Sequence, residues 1–114
     1  MRGITPYGQV TDTGAAFAWY GRVFGAKEVR QRLIAPDGTC MNAEIEIEGT
    51  RLMLADEMPD MGSTSPATLG GTSVVLDLHV ADADAVFRLA LEAGAEQGIS
   101  TRRPVLRRSS RACA

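Results

Sequence analysis

The segment Val10-Thr11-Asp12-Thr13-Gly14-Ala15-Ala16-Phe17 returns as Val80-Ala81-Asp82-Ala83-Asp84-Ala85-Val86-Phe87, with Val, Asp, Ala and Phe in register. Gly25-Ala26 returns as Gly94-Ala95 with one residue deleted between. Each copy reads as a strand running into a helix that stops at a glycine. A repeated supersecondary unit points to a pseudo-symmetric domain whose halves complete one another. The first copy continues into further strand pattern, whereas little chain follows the second. The expectation is therefore a complete first unit and an incomplete second one.

Residues 4–10 alternate as a strand, and the 13–24 segment follows as a helix. Phe17, Tyr20 and Phe24 fall at i, i+3 and i+7, beside a stripe of Ala16, Trp19 and Val23. Thr11, Asp12 or Thr13 can cap the start of this helix, and Gly25 suits its exit. Residues 28–35 form a second strand that turns at Pro36-Asp37-Gly38. Met41, Ala43, Ile45 and Ile47 alternate with Asn42, Glu44, Glu46 and Glu48, a half-buried strand. Gly49-Thr50 turns the chain into a fourth strand at 51–55, and 57–72 reads as a linker or surface loop. The second copy gives a strand at 74–80, with Leu76, Leu78 and Val80 on one face, and a helix at about 83–93. The order is β-α-β-β-β, linker, β-α, tail, which is an α+β class.

Charge is distributed unevenly. Residues 1–97 hold seven Lys/Arg against all fourteen Asp/Glu, an excess of seven negative charges, while residues 98–114 hold five arginines and no acid. A basic tail can bind nucleic acid or an anionic surface. The plainer reading of this tail, which lacks hydrophobic periodicity, is a non-native or irregular terminus. No apolar run approaches the roughly 18 residues of a membrane span, and no secretory pattern opens the chain, so a cytoplasmic location is expected. Cys40 and Cys113 form no disulfide or zinc pattern, and His79 is the single histidine.

The segments Ile4-Thr5-Pro6-Tyr7, Ala18-Trp19-Tyr20, Phe24-Gly25-Ala26, Met41-Asn42-Ala43-Glu44-Ile45, Leu52-Met53-Leu54-Ala55-Asp56-Glu57-Met58-Pro59-Asp60-Met61-Gly62 and Thr68-Leu69-Gly70-Gly71-Thr72 carry a resemblance. They resemble the vicinal oxygen chelate superfamily of glyoxalases, bleomycin-resistance proteins and extradiol dioxygenases, in its PhnB-like branch. The resemblance covers about residues 3–96. It implies paired βαβββ modules with helices outside and a cavity on the concave face. Here the first module would be 3–57, the linker 58–72 and a partial second module 73–97, followed by the tail at 98–114. The resemblance also implies a small-molecule ligand and a homodimer.

Metal-dependent members of that superfamily place ligands on the first and last strand of each module. Those positions transfer to Thr5, Val75 and Met53, with a fourth beyond the partial second module. Thr5 is a weak donor, Met53 is soft and Val75 has none, so no metal or other cofactor is expected. Activity as a lyase or dioxygenase is the enzyme alternative, and the balance leans against it. The cavity-side candidates for ligand binding are Tyr7, Asn42, Glu44, Asp77 and His79. Asn42 and Asp77 stand where many PhnB-like sequences carry histidine. His79 is either a proton-transferring or ligand-binding group or a partly exposed strand histidine. Glu44 with Arg30 or Arg32 either holds a polar ligand or forms a solvated cross-strand ion pair.

The tail also admits a reading-frame explanation. Arg103-Pro104-Val105-Leu106-Arg107-Arg108 can be encoded so that reading one base later yields Asp-Gln-Phe-Tyr-Gly, similar to the PhnB-like continuation. On this reading residues 98–114 are out-of-frame sequence. The functional expectation is a metal-independent, glyoxalase/bleomycin-resistance-like small-molecule-binding protein, with nucleic-acid binding through the tail as the less favoured possibility.

Overall fold

A computed structural model describes residues 3–98 and 105–107. Its elements are β1 (Tyr7–Val10), α1 (Thr13–Phe24), β2 (Lys27–Glu28), β3 (Leu33–Ile34), β4 (Cys40–Ile47), β5 (Thr50–Asp56), a 3₁₀ turn (Pro59–Met61), α2 (Pro66–Leu69), α3 (Ala83–Glu92), β6 (Glu96–Gly98) and β7 (Val105–Arg107). The fold is α+β, and its first half is a βαβββ unit. The sheet runs β1-β5-β4-β2, with β3 also on β4. Parallel pairing of β1 with β5, Tyr7 opposite Met53 and Val10 opposite Asp56, requires a crossover, which α1 and the strands after it supply.

The two repeat copies begin their helices identically. The carboxylates of Asp12 and Asp82 accept from the N–H of Ala15 and Ala85 at 3.1 and 3.0 Å, each satisfying one orphan donor of the first turn. Gly25 closes α1 at φ 69°, a left-handed conformation in which an L side chain is strained.

On β4 the period-2 pattern decides which face is core. Ala43, Ile45 and Ile47 are buried with Val10, Leu52 and Leu54 against Ala16, Phe17, Tyr20 and Phe24 of α1. Ile45 is fully buried, which contributes about 1.5–3 kcal/mol relative to exposure. The other flank of α1 meets α3, where Trp19 and Val23 pack with Ala90 and Ala95. Both repeat helices thus share a core. Asn42, Glu44 and Glu46 occupy the sheet face opposite α1.

Several elements differ from the sequence-based expectation. The first strand begins at Tyr7 and not at residue 4, because the β5 ladder reaches no further than the Met53 N–H, which donates to the Pro6 carbonyl at 2.9 Å. The expected strand at 28–35 divides into β2 and β3, with an irregularity at Leu33/Ile34. The 57–72 stretch is built and not a plain linker. Glu57 accepts from the N–H of Ser65 at 2.8 Å and from the hydroxyl of Thr68 at 2.9 Å, clasping the first turn of α2.

The expected strand at 74–80 does not form. No described strand lies alongside it, and without a ladder partner an extended segment leaves its backbone to water. Val74, Val75, Leu76 and Leu78 are consequently exposed. Past residue 97 no pattern was expected, yet β7 pairs antiparallel with β6, Glu96 opposite Arg107. The rest of the arginine-rich tail and Cys113 lie outside the described residues.

Candidate functional site

The hairpin between β4 and β5 sets the site. Ile47 pairs with Thr50, so Glu48-Gly49 is a two-residue loop. Both loop residues have positive φ, 49° and 79°, the geometry that matches the twist of adjoining strands. That register places Arg51 opposite Glu46, and Met53 opposite Glu44, on the face away from α1. Tyr7 joins the same row, because it pairs with Met53 from the other side.

Glu44 is the centre of this face. It is only 3% exposed, a burial that a carboxylate tolerates only when paired. Arg51 Nη1 donates to its Oε2, and Arg30 Nε stands 3.6 Å from its Oε1. The two guanidinium side chains are 44% and 67% exposed, so the acid is sealed beneath cations that reach solvent. An open cleft of about 560 Å³ lies over them, lined by Ile4, Thr5, Arg30, Glu44, Thr50 and Arg51. Outside the cleft lining, the Tyr7 hydroxyl donates to the Met41 carbonyl at 2.6 Å, and Asn42 Nδ2 donates to Met53 Sδ at 3.5 Å.

Of the residues singled out from sequence, the structure brings Tyr7, Asn42 and Glu44 onto one sheet face. Of these Glu44 lines the cleft, together with Thr5, whereas Tyr7 and Asn42 are not among its lining residues. Asp77 and His79 lie outside the cleft lining, on the irregular 74–80 segment, with His79 Nε2 3.4 Å from Asp77 Oδ2 and the two side chains 85% and 61% exposed. Arg30 is Glu44's partner as one of the alternatives allowed. Arg32 is not, because it pairs with Glu28 at 2.9 Å and lies over the Phe17 ring on the α1 side. Nor is the Glu44 pairing solvated on its acidic side.

Sequence reasoning missed Arg51. A turn at Glu48-Gly49, one residue earlier than the expected Gly49-Thr50, places Arg51 diagonal to Glu44. It also missed a clasp at the far end of β5. Asp56 Oδ1 accepts from the N–H and hydroxyl of Thr13, each at 2.8 Å, and Oδ2 accepts from the Cys40 N–H at 2.8 Å. Burial pushes the Asp56 carboxyl up, but the bonds from Cys40 and Thr13 outweigh it and hold the pKa below the ordinary value.

The face does not suit a divalent metal. Both Glu44 oxygens are committed to arginines, the Met53 sulfur is soft, and Val75 is 81% exposed with no donor. Among the described residues no three His, Cys, Asp or Glu side chains gather.

A helix-covered βαβββ unit with a polar cleft on the uncovered face defines a small class of folds. Residues 8–109 match the family model of the Glyoxalase/Bleomycin resistance protein/Dioxygenase superfamily, and the chain belongs to that superfamily. It is 40% identical over 95 residues to an uncharacterized protein of Mycobacterium bovis, covering 81% of this chain and 62% of that protein. Uncharacterized proteins from two strains of Mycobacterium tuberculosis are likewise 40% identical over 95 residues, covering 81% of this chain and 55% of theirs. The chain thus spans between 55% and 62% of the length of the curated relatives it matches. The X-ray structure of an Arabidopsis thaliana gene product superposes with a TM-score of 0.68 at 24% identity, covering 89% of this chain and 80% of that one, a likeness of fold.

Proposed function

We propose that this superfamily member is a small-molecule-binding protein of the glyoxalase/bleomycin-resistance kind, within the PhnB-like branch, which holds its ligand in the β4–β5 cleft without a metal. The observation that carries this reading is Glu44, a buried carboxylate whose two oxygens are both taken by arginines at the floor of a cleft. A metal-dependent lyase or dioxygenase would need such an acid free to coordinate. Ligand-observed NMR of a mixed small-molecule library tests the reading. Binders should shift backbone amides of Thr5, Thr50 and Arg51 in labelled protein. Shifts confined to Ala15, Ala18 and Arg22, which line a smaller groove beside Trp19, would refute it.

The same reading takes the protein as a cytoplasmic homodimer. None of the described helices is long and apolar enough to cross a membrane. Exposed Val74, Val75 and Leu76 supply apolar surface for a partner chain. Sedimentation equilibrium checks this, and a monomer at micromolar concentration would refute it.

A further inference from the structure

We propose that Arg30 and Arg51, divided between the two oxygens of Glu44, recognise an oxyanion group, carboxylate or phosphate, on the ligand of this cleft. The proposal rests on the cleft being the ligand site. A structural role for Glu44 would be met by one cation, and here there are two. Glu46, the next acid on that face, lies in register with Arg51 on one side and Lys27 on the other. Counting Lys27, Arg30 and Arg51 against Glu44 and Glu46 leaves one positive charge, which a monoanion would balance.

The geometry favours the same class. Each guanidinium carries five N–H donors in a planar fork, of which Glu44 accepts one from Arg51 Nη1 and pairs at 3.6 Å with Arg30 Nε. The remaining donors sit on side chains that reach solvent and line the cleft. Forked donors match the paired oxygens of carboxylate or phosphate better than they match a neutral carbonyl. Glu44 is the positioning residue. Buried and rigid on β4, it fixes both guanidiniums before the ligand arrives, so less side-chain freedom is lost on binding.

The test uses the full chain, ¹⁵N-labelled, with benzoate as probe and benzamide as its neutral counterpart at constant ionic strength. Benzoate should shift the amides of Gly49, Thr50 and Arg51 saturably, and benzamide should bind at least about tenfold more weakly, the share of one charge-assisted hydrogen bond. R51Q should weaken benzoate by a similar factor. R30Q tests the same point at the more exposed arginine, should R51Q disturb the sheet. R22Q, on α1, should change nothing.

Equal affinity for benzoate and benzamide at the cleft amides would overturn the oxyanion assignment while leaving the ligand cleft standing. Failure of benzoate to shift those amides would also overturn it, with the cleft then judged by the library screen. Benzoate shifts confined to Ala15, Ala18 and Arg22, or R22Q weakening benzoate as much as R51Q, would overturn both.

Discussion

Asp56 ties the last strand of the βαβββ unit to the first turn of its helix by accepting both the N–H and the hydroxyl of Thr13 on one oxygen, each at 2.8 Å. Its other oxygen takes the Cys40 N–H, so a single carboxylate fixes the end of β5, the start of β4 and the N-terminus of α1. A negative charge at a helix N-terminus is also favoured by the helix dipole.

Asp56→Asn should therefore destabilise the fold by about 1–3 kcal/mol. An amide has one acceptor oxygen, so one of its N–H groups must face either Thr13 or the Cys40 N–H. The pH dependence has a definite sign. The folded pKa lies below the unfolded one, about 3.9, so the stabilisation is complete above that value and is lost as pH falls through the lower folded value. Thermal unfolding of the wild type should weaken below about pH 4, and the Asn variant should lose less over the same range. Parallel acid profiles for the two proteins would contradict this account of Asp56.

Helices were the most legible part of the fold, because a capping Asp, a 3.6-residue apolar stripe and a closing glycine all agree at 13–24 and nearly so at 83–92. The strand at 74–80 shows why pattern alone fails for sheets. Leu76, Leu78 and Val80 alternate with Asp77 and His79 as a strand should, but a strand exists only where another backbone accepts its ladder. On the face that carries the cleft, Glu44 and Asn42 were legible from β4's alternation. Arg51 was not, since a turn misplaced by one residue moves its cross-strand partner by two, from Glu46 to Glu48 on the same face, and only the observed register puts it diagonal to Glu44. The Asp56 clasp joins residues far apart in sequence and leaves no local pattern.

Gly25→Ala should cost about 1–2 kcal/mol, the strain of an L residue in the left-handed region. A Cβ built at Gly25 meets no atom within 4 Å, so the loss would be torsional and not steric. Gly71 is equally open but has no positive φ, and Gly71→Ala should be neutral or slightly stabilising. Urea denaturation of both variants checks the contrast, and equal effects would mean that the backbone conformation at Gly25 is not what demands glycine.

Purified protein should hold zinc, nickel, iron or manganese well below one ion per chain, and EDTA should leave Tm unchanged. The expectation follows from Glu44, whose oxygens both serve arginines, and from Thr5, Met53 and Val75 at the positions where a ligand set would stand. Elemental analysis finding about one ion per chain, lost to chelator together with thermal stability, would reverse it.

Trp19 joins the two repeat helices. Its indole N–H donates to the Ala93 carbonyl at 2.8 Å, at the C-terminal end of α3, where carbonyls lack helical partners. Its ring packs with Val23, Ala90 and Ala95 and stands edge-on to Tyr20 and Phe24 at 5.6 and 5.5 Å. Trp19→Phe keeps an aromatic ring but removes the donor and part of the packing, for an expected loss of about 1–3 kcal/mol in urea denaturation followed by circular dichroism. The loss should be local as well as global. Since α3 reaches the core through α1, amide hydrogen exchange in α3 should accelerate more than in β4 and β5, whose ladder is untouched. Equal acceleration in α3 and in the β4–β5 hairpin would show that the two repeat halves open as one cooperative unit, and that Trp19 does not control the junction between them.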